Sequence, residues 1–354
     1  MSWTGRLFTH ELSDSTIPNH GTLPDEVNSL IRYQTTSWPM LSRGYRGLEQ
    51  IKTKRLENPY THGSFVIVQH NPARIRSTAA SVDQASIQSR KCFLCPENLP
   101  AEEMGLEYGK DFIIACNPYP VLDRHLSIIH RRHIEQRIAG HEATLLALAR
   151  DLGPGYMVLY NGPRCGASAP DHLHLQAGSP GKLPIEASLG RLKLIDIRDA
   201  GSDPYQGIAV GVLEDFGRSV IIVRGRAAQN ISETIARLLA NFARATAAAG
   251  AVATPAEQIP EVSDDPEPMI NIISTHGGGL WTVYLFPRAR HRPACFFAEG
   301  NDRITVSPGA IDMAGVLVVP REEDFARIGA EQAIAIFSEV SASPNLAREL
   351  AESL

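Results

Sequence analysis

The sequence predicts an α+β fold made of a duplicated unit, and three observations point to it. The order strand–helix–strand–strand occurs twice, opening with DRHLSIIHRR (123–132) and again with FGRSVIIVRGR (216–226). Short apolar strand-like runs alternate with amphipathic helical segments, and no strand–GxGxxG–helix unit appears. The length, 354 residues, suits two domains or one duplicated unit.

The elements follow in order. Residues 1–60 read as an N-terminal extension of short helices and extended pieces, interrupted by Pro18, Pro24, Pro39 and Pro59. SFVIVQH is a strand that ends at Asn71-Pro72, because proline pushes its predecessor out of the helical region. DFIIACNPYP is a second strand closed by a proline turn, and HLSIIH (125–130) a third. HEATLLALARDLG has helical periodicity and a glycine stop. YMVLYNG and HLHLQAG are two further strands flanking the loop PRCGASAPD. In the second copy, ISETIARLLANFARATAAAG is an amphipathic helix, and MINIISTHGGG and LWTVYLFPRARH are strands. The acidic, proline-rich ATPAEQIPEVSDDPEPM (252–269) between them reads as an exposed loop. The expected organisation is the extension (1–60), a chemistry-bearing half (61–186) and a degenerate half (187–354), whose strand near Thr282–Phe286 is apolar.

Composition narrows the class of function. The chain is 43% hydrophobic and 21% charged with mean hydropathy −0.13, which excludes wholesale disorder. A net charge of −5 and a pI near 6.2 argue against a surface that coats nucleic acid. No apolar run approaches a membrane span, and the first residues lack signal-peptide order. Five cysteines are too few for a disulfide scaffold, so the expected setting is reducing and cytoplasmic.

The chemistry concentrates in GASAPDHLHLQAG (166–178). On a strand, His172, His174 and Gln176 share one face while Leu173 and Leu175 face the core. The alternative is the wet face of an ordinary half-exposed strand. Cys92-Phe93-Leu94-Cys95 has zinc-ligand spacing, and His133 and His172 could complete a closed Cys₂His₂ set; the alternative is two reduced structural cysteines. NPARIRS offers Asn71, Arg74 and Arg76 to a phosphate, or forms a solvated basic turn. Asn161 and Ser168 belong to a glycine-rich loop able to cradle phosphate oxygens. PRARHRP gathers Arg288, Arg290, His291 and Arg292, either as an anion site centred on Arg290 or as an exposed basic turn. His125 and His130 read as structural histidines, and Asp171 either orients a histidine or caps a turn.

The segments VQHNPAR, CFLCPEN, ACNPYPVLDRHLSIIHRRH, YNGPRCGAS and DHLHLQAG together resemble the nucleotidyltransferase branch of the histidine-triad superfamily. Its members include galactose-1-phosphate uridylyltransferase, diadenosine tetraphosphate phosphorylase and GDP-L-galactose phosphorylase. SPGAIDMAGVLVVP (307–320) loosely resembles the closing region of the last. The resemblance implies a duplicated histidine-triad-like unit with an antiparallel half-barrel sheet and packed helices. It implies His174 as nucleophile, forming a covalent nucleotidyl-histidine, with Gln176 holding phosphoryl oxygens where the hydrolases carry a third histidine. Asn71, Arg74, Asn117, Asn161, Ser168 and Arg290 would bind substrate. Cys92, Cys95, His133 and His172 would hold a structural zinc. The implied partners are a nucleotide or nucleotide-sugar donor and a phosphate or sugar-phosphate acceptor, in a homodimer, with neither nucleic acid nor membrane. Three residues separate Ser168 from His172 where the uridylyltransferase pattern has two, which argues against a plain galactose-1-phosphate enzyme. Rival readings are a histidine-triad nucleotide hydrolase and a catalytically silent, zinc-stabilised nucleotide-binding protein.

Overall fold

The computed structural model describes residues 3–9, 12, 21–80, 82–179, 183–189, 194–198, 207–248 and 267–354. The expected loop at 252–269 lies almost wholly outside the described residues.

Apolar alternation builds the central element, an antiparallel sheet of ten strands. In chain order they are β3 (Gly105–Tyr108), β4 (Phe112–Cys116), β5 (Leu126–His130), β6 (Met157–Asn161), β7 (His174–Gly178), β8 (Leu194–Arg198), β9 (Ile208–Leu213), β10 (Val220–Gly225), β11 (Ile270–Gly277) and β12 (Leu280–Pro287). Across the sheet they run β3-β4-β5-β7-β6-β11-β12-β10-β9-β8. Reading inward from either edge gives the same pattern, so the duplication is visible as a pseudo-two-fold. The halves meet where β6 pairs with β11, Leu159 opposite Ile273. The helix Glu142–Asp151 links β5 to β6, and Ala228–Ala248 occupies the matching place before β11.

Strand periodicity sorts the side chains onto two faces. Val158, Tyr160, Leu173, Leu175, Ile221, Val223, Val283 and Leu285 face a core shared with both linking helices, the N-terminal helix Leu23–Ser37 and the last helix Pro344–Glu352. Ser343 caps that last helix, accepting from the Leu346 amide at 3.2 Å. Met157, Leu159, Ile222, Ile273, Tyr284 and Phe286 face a second core formed with residues 304–340. A small sheet sits there: β1 (Lys52–Glu57) pairs with β2 (Phe65–His70), which pairs in parallel with β13 (Val316–Val319). The N-terminal region is therefore stitched to the C-terminal one, which sequence order alone does not reveal. His174 and Gln176 lie on this second face. Their counterpart strand, β12, presents Tyr284 and Phe286 to the core instead.

Candidate active site

β7 begins at His174, two residues later than the alternation predicts. The Leu173 amide donates to Ile134 O at 2.8 Å and the His172 amide turns back to Ala169 O, so the chain is still leaving a turn at His172. His172 thus precedes the strand proper, and its Nδ1 points at Cys92 and Cys95. His174 is buried, and its Nδ1 lies 2.9 Å from the carbonyl of His172. That carbonyl can only accept, so Nδ1 carries the proton and Nε2 keeps its lone pair. Burial lowers the His174 pKa, with the His172 carbonyl opposing, so the neutral, nucleophilic ring is favoured.

Gln176 gains its orientation from a residue read as merely structural. The Val121 amide donates to His125 Nδ1 at 3.1 Å, which forces the proton of His125 onto Nε2. Nε2 then donates to Gln176 Oε1 at 2.9 Å. The Gln176 amide is thereby held with its NH₂ group turned away from His125. Burial, aided by the nearby Arg74, pushes the His125 pKa down to about 4. An unfolded histidine titrates near 6.5, so the unfolded chain takes up a proton at this site first as pH falls. Wild-type stability is expected to drop between pH 6.5 and about 4 by up to about 3 kcal/mol at this site. Urea unfolding at pH 7 and pH 4.5 checks this: the stability gap between wild type and His125→Gln should narrow at the lower pH.

Asn161 ends β6 and is fixed from the second half. Its Oδ1 accepts from Asn271 Nδ2 at 2.9 Å and from the Ala310 amide at 2.8 Å, leaving Nδ2 as the group with capacity to spare. Arg288 buttresses Asn271, donating to its Oδ1 at 2.5 Å and to Pro308 O at 2.8 Å. The two glycine-containing loops, 162–168 and 307–310, touch backbone to backbone. A Cβ on Gly166, which has φ +91°, would come within 2.9 Å of the Gly309 Cα. Ser168 lies half-buried in the first of these loops, its carbonyl facing Arg90.

The other expected binding residues divide. Asn71 and Arg74 bond the carbonyls of Pro120 and Tyr119, and Asn117 bonds Ser127 and the Tyr119 amide. All three shape the Asn117–Val121 segment. Arg74 also lies between the groups that matter: its charge lowers His125, and Asp312 stabilises it. The side chain of Arg76 is outside the described residues. Arg290 pairs with Glu339 at 2.7 Å. Arg288 is buried with its guanidinium bonded to five acceptors, and Arg292 is bonded to Ser307, Thr78 and Ala80. PRARHRP is therefore an internal clamp, and its basic character reflects backbone carbonyls that need donors.

Cys92, Cys95, His133 and His172 converge, with their ligand atoms all within 4.8 Å of one another. Cys92 Sγ is 3.3 Å from His172 Nδ1, and Cys95 Sγ is 3.2 Å from His133 Nδ1. Tetrahedral zinc, with bonds of about 2.3 Å to sulfur and 2.0 Å to nitrogen, places its ligands at such separations. The outer partners also suit a metal. His172 Nε2 donates to His130 O at 2.8 Å, and His133 Nε2 faces Asp171 at 3.6 Å, so each histidine directs Nδ1 inward. Asp171 is tied to Arg90 at 2.8 Å. The set fits a closed structural ion.

One group in contact with His174 escaped the sequence reading. Gln136 contacts the main chain of His174 on both sides, accepting from its amide at 2.8 Å and donating to its carbonyl at 3.1 Å. Its place three residues after His133 carries no spacing signal.

Residues 30–179 match a family described as a domain of unknown function, DUF4922, and residues 269–352 match the GDPGP1-like, C-terminal domain. No curated protein matches the sequence. Among solved structures, yeast Ap4A phosphorylase Apa2 aligns over 91% of this chain and 98% of its own, at 15% identity and a TM-score of 0.57. The same enzyme in complex with Ap4A aligns over the same shares at 14% identity and 0.51. Its complex with AMP covers 89% of this chain and 96% of that one, at 15% and 0.51. The chain therefore shares the fold of the yeast Ap4A phosphorylase Apa2.

Proposed function

We propose that the chain is a nucleotidyltransferase of the phosphorylase type, acting on a nucleoside di- or polyphosphate compound through a covalent nucleotidyl-His174. The observation that carries this reading is the lock between His174 Nδ1 and the His172 carbonyl, which leaves a buried Nε2 lone pair beside an oriented Gln176 amide. In the first step the Nε2–P bond forms and the bond from the α-phosphorus to the leaving phosphate oxygen breaks. The positive charge that develops on the ring is held by the Nδ1–H bond to the His172 carbonyl. In the second step an acceptor oxygen attacks phosphorus, the Nε2–P bond breaks and the ring returns neutral. The Gln176 NH₂, Asn161 Nδ2, Ser168 and Arg74 supply donors to phosphoryl oxygens, which carry the charge throughout. A neutral amide at Gln176 brings no proton to a leaving group. That suits a leaving group already stable as a phosphate anion, and favours transfer to phosphate or a phosphorylated acceptor over hydrolysis.

Zinc, when bound by Cys92, Cys95, His133 and His172, would act structurally, tying the ends of β5 and β7 to the cysteine loop. Yeast Ap4A phosphorylase has been solved with Ap4A and with AMP, which supports an adenine nucleotide as the first donor to test. The test is intact-protein mass spectrometry after mixing with diadenosine polyphosphates, nucleoside triphosphates or nucleotide sugars without acceptor. An acid-labile nucleoside monophosphate adduct is expected. Adding inorganic phosphate should discharge it as nucleoside diphosphate. Release as nucleoside monophosphate at the same rate with and without phosphate would instead make the protein a hydrolase. Tight donor binding with no adduct would make it a silent binding protein. Among the described residues no helix is long and apolar enough to cross a membrane.

A further inference from the structure

His174 sits where the pairing of β7 with β6 runs out. β6 and β7 pair from Met157↔Gly178 to Leu159↔Gln176. Beyond that, the amide of Gln136 stands between the two chains. Its Nε2 donates to Asn161 O at 2.8 Å and to His174 O at 3.1 Å, and its Oε1 accepts from the His174 amide at 2.8 Å. A side chain thus replaces the missing β6 neighbour, while on the other edge His174 stays paired with Ile129 of β5. Gln136 is in turn held by its own loop, and that loop is anchored from the other half. Glu267 Oε1 accepts from the Ile138 amide at 2.6 Å and the Ala139 amide at 3.4 Å. Glu267 Oε2 accepts from the Tyr160 hydroxyl, which also lies 3.3 Å from Gln136 O. All of this is buried: Gln136 is 2% and Glu267 7% exposed. Satisfying this buried carboxyl group so fully serves to fix two backbone amides and a phenol in one arrangement.

We propose that Glu267, contributed by the half that lacks the nucleophile, is a positioning residue that acts through Gln136 on His174. This rests on the nucleotidyl-transfer reading above. It gives the degenerate half a role in the chemistry: the chain segment entering β11 sets the attack geometry of a residue on β7. Positioning affects the step in which Nε2 meets phosphorus, where a misplacement of 1 Å can cost on the order of 100-fold, and leaves donor binding alone.

The test compares wild type, Glu267→Ala and Glu267→Gln in the full chain. Three quantities are read: donor dissociation constant, single-turnover rate of His174 nucleotidylation, and hydrogen exchange of the His174 amide. In Glu267→Ala the rate is expected to fall about 10- to 100-fold, and the His174 amide to exchange at least about tenfold faster as Gln136 loosens. The dissociation constant should stay within about twofold, as groups on the donor are untouched. Glu267→Gln keeps one acceptor for Ile138 and should recover most of the rate. It also serves as the folded variant if Glu267→Ala fails to fold. Unchanged rate and exchange with only a lower melting temperature, or equal losses in binding and rate, would overturn the proposal. If wild type forms no adduct with any donor, the nucleotidyl-transfer reading fails. Exchange at His174 then decides alone: unchanged protection in the variants overturns the coupling, and faster exchange supports it.

Discussion

His174→Ala protein is expected to carry no nucleotidyl adduct and to lose turnover by on the order of 10³-fold or more, the scale seen when a covalent nucleophile is removed. The size follows from the site. Neither His172 nor His125 is placed to substitute: His172 is directed at the cysteines, and His125 is committed through both ring nitrogens to Val121 and Gln176. Binding should survive, because the phosphate-facing donors come from other residues, so donor affinity changes far less than rate. His174→Gln serves as the folded control, since it fills most of the ring's volume. The wild-type rate carries a second signature. Burial lowers the pKa of His174, so the neutral ring persists below pH 6.5 and the acid limb of single-turnover nucleotidylation should fall below that value. An adduct that forms in His174→Ala, or an acid limb at or above 6.5, would assign the chemistry to another group.

What the sequence made legible was local. Alternation placed β2, β4, β5, β6 and β7, and helical periodicity placed Glu142–Asp151 and the long helix ending at Ala248. A spacing rule found Cys92 and Cys95, and the H-x-H-x-Q pattern found His174 and Gln176. What stayed hidden acts through the main chain or across the halves. Gln136 recognises an amide and two carbonyls, which no residue pattern records. Asn271, with Arg288 behind it, reaches Asn161 only because β11 pairs with β6, a long-range contact between strands more than a hundred residues apart. The arginines of PRARHRP illustrate the complementary case: their donors face carbonyls and Glu339, partners that a run of arginines does not reveal in sequence. The start of β7 was misjudged by two residues because alternation continues through His172 although the turn bonds do not release the chain until Leu173.

Zinc loading is where the second large effect is expected. Purified under reducing conditions, wild type should carry close to one zinc per chain, and Cys95→Ser should carry almost none. The metal-free thiols are held protonated: burial raises both, Cys95 to about 12 with Cys92 adding to the rise, and Asp171 adds to that of Cys92. Zinc binds thiolate, so uptake at pH 7 must expel about two protons. The sign is fixed by that release. Affinity rises with pH, steepening toward a hundredfold per pH unit while both thiols start protonated, and falls as the solution is acidified. Calorimetric titration of the metal-free protein in two buffers of different ionisation enthalpy counts the protons directly. Removing the ion should lower the melting temperature by roughly 5 °C, a loss of several kcal/mol spread over a large cooperative unit. The effect should be modest because the ten-stranded sheet keeps its own core, whereas the ion ties only the cysteine loop to the ends of β5 and β7. Because His172 is one of the ligands and its carbonyl receives the His174 proton, the metal-free protein should also nucleotidylate more slowly at unchanged donor affinity. Zinc that binds without releasing protons, or a Cys95→Ser protein as metal-rich and as stable as wild type, would move the ion away from this cluster.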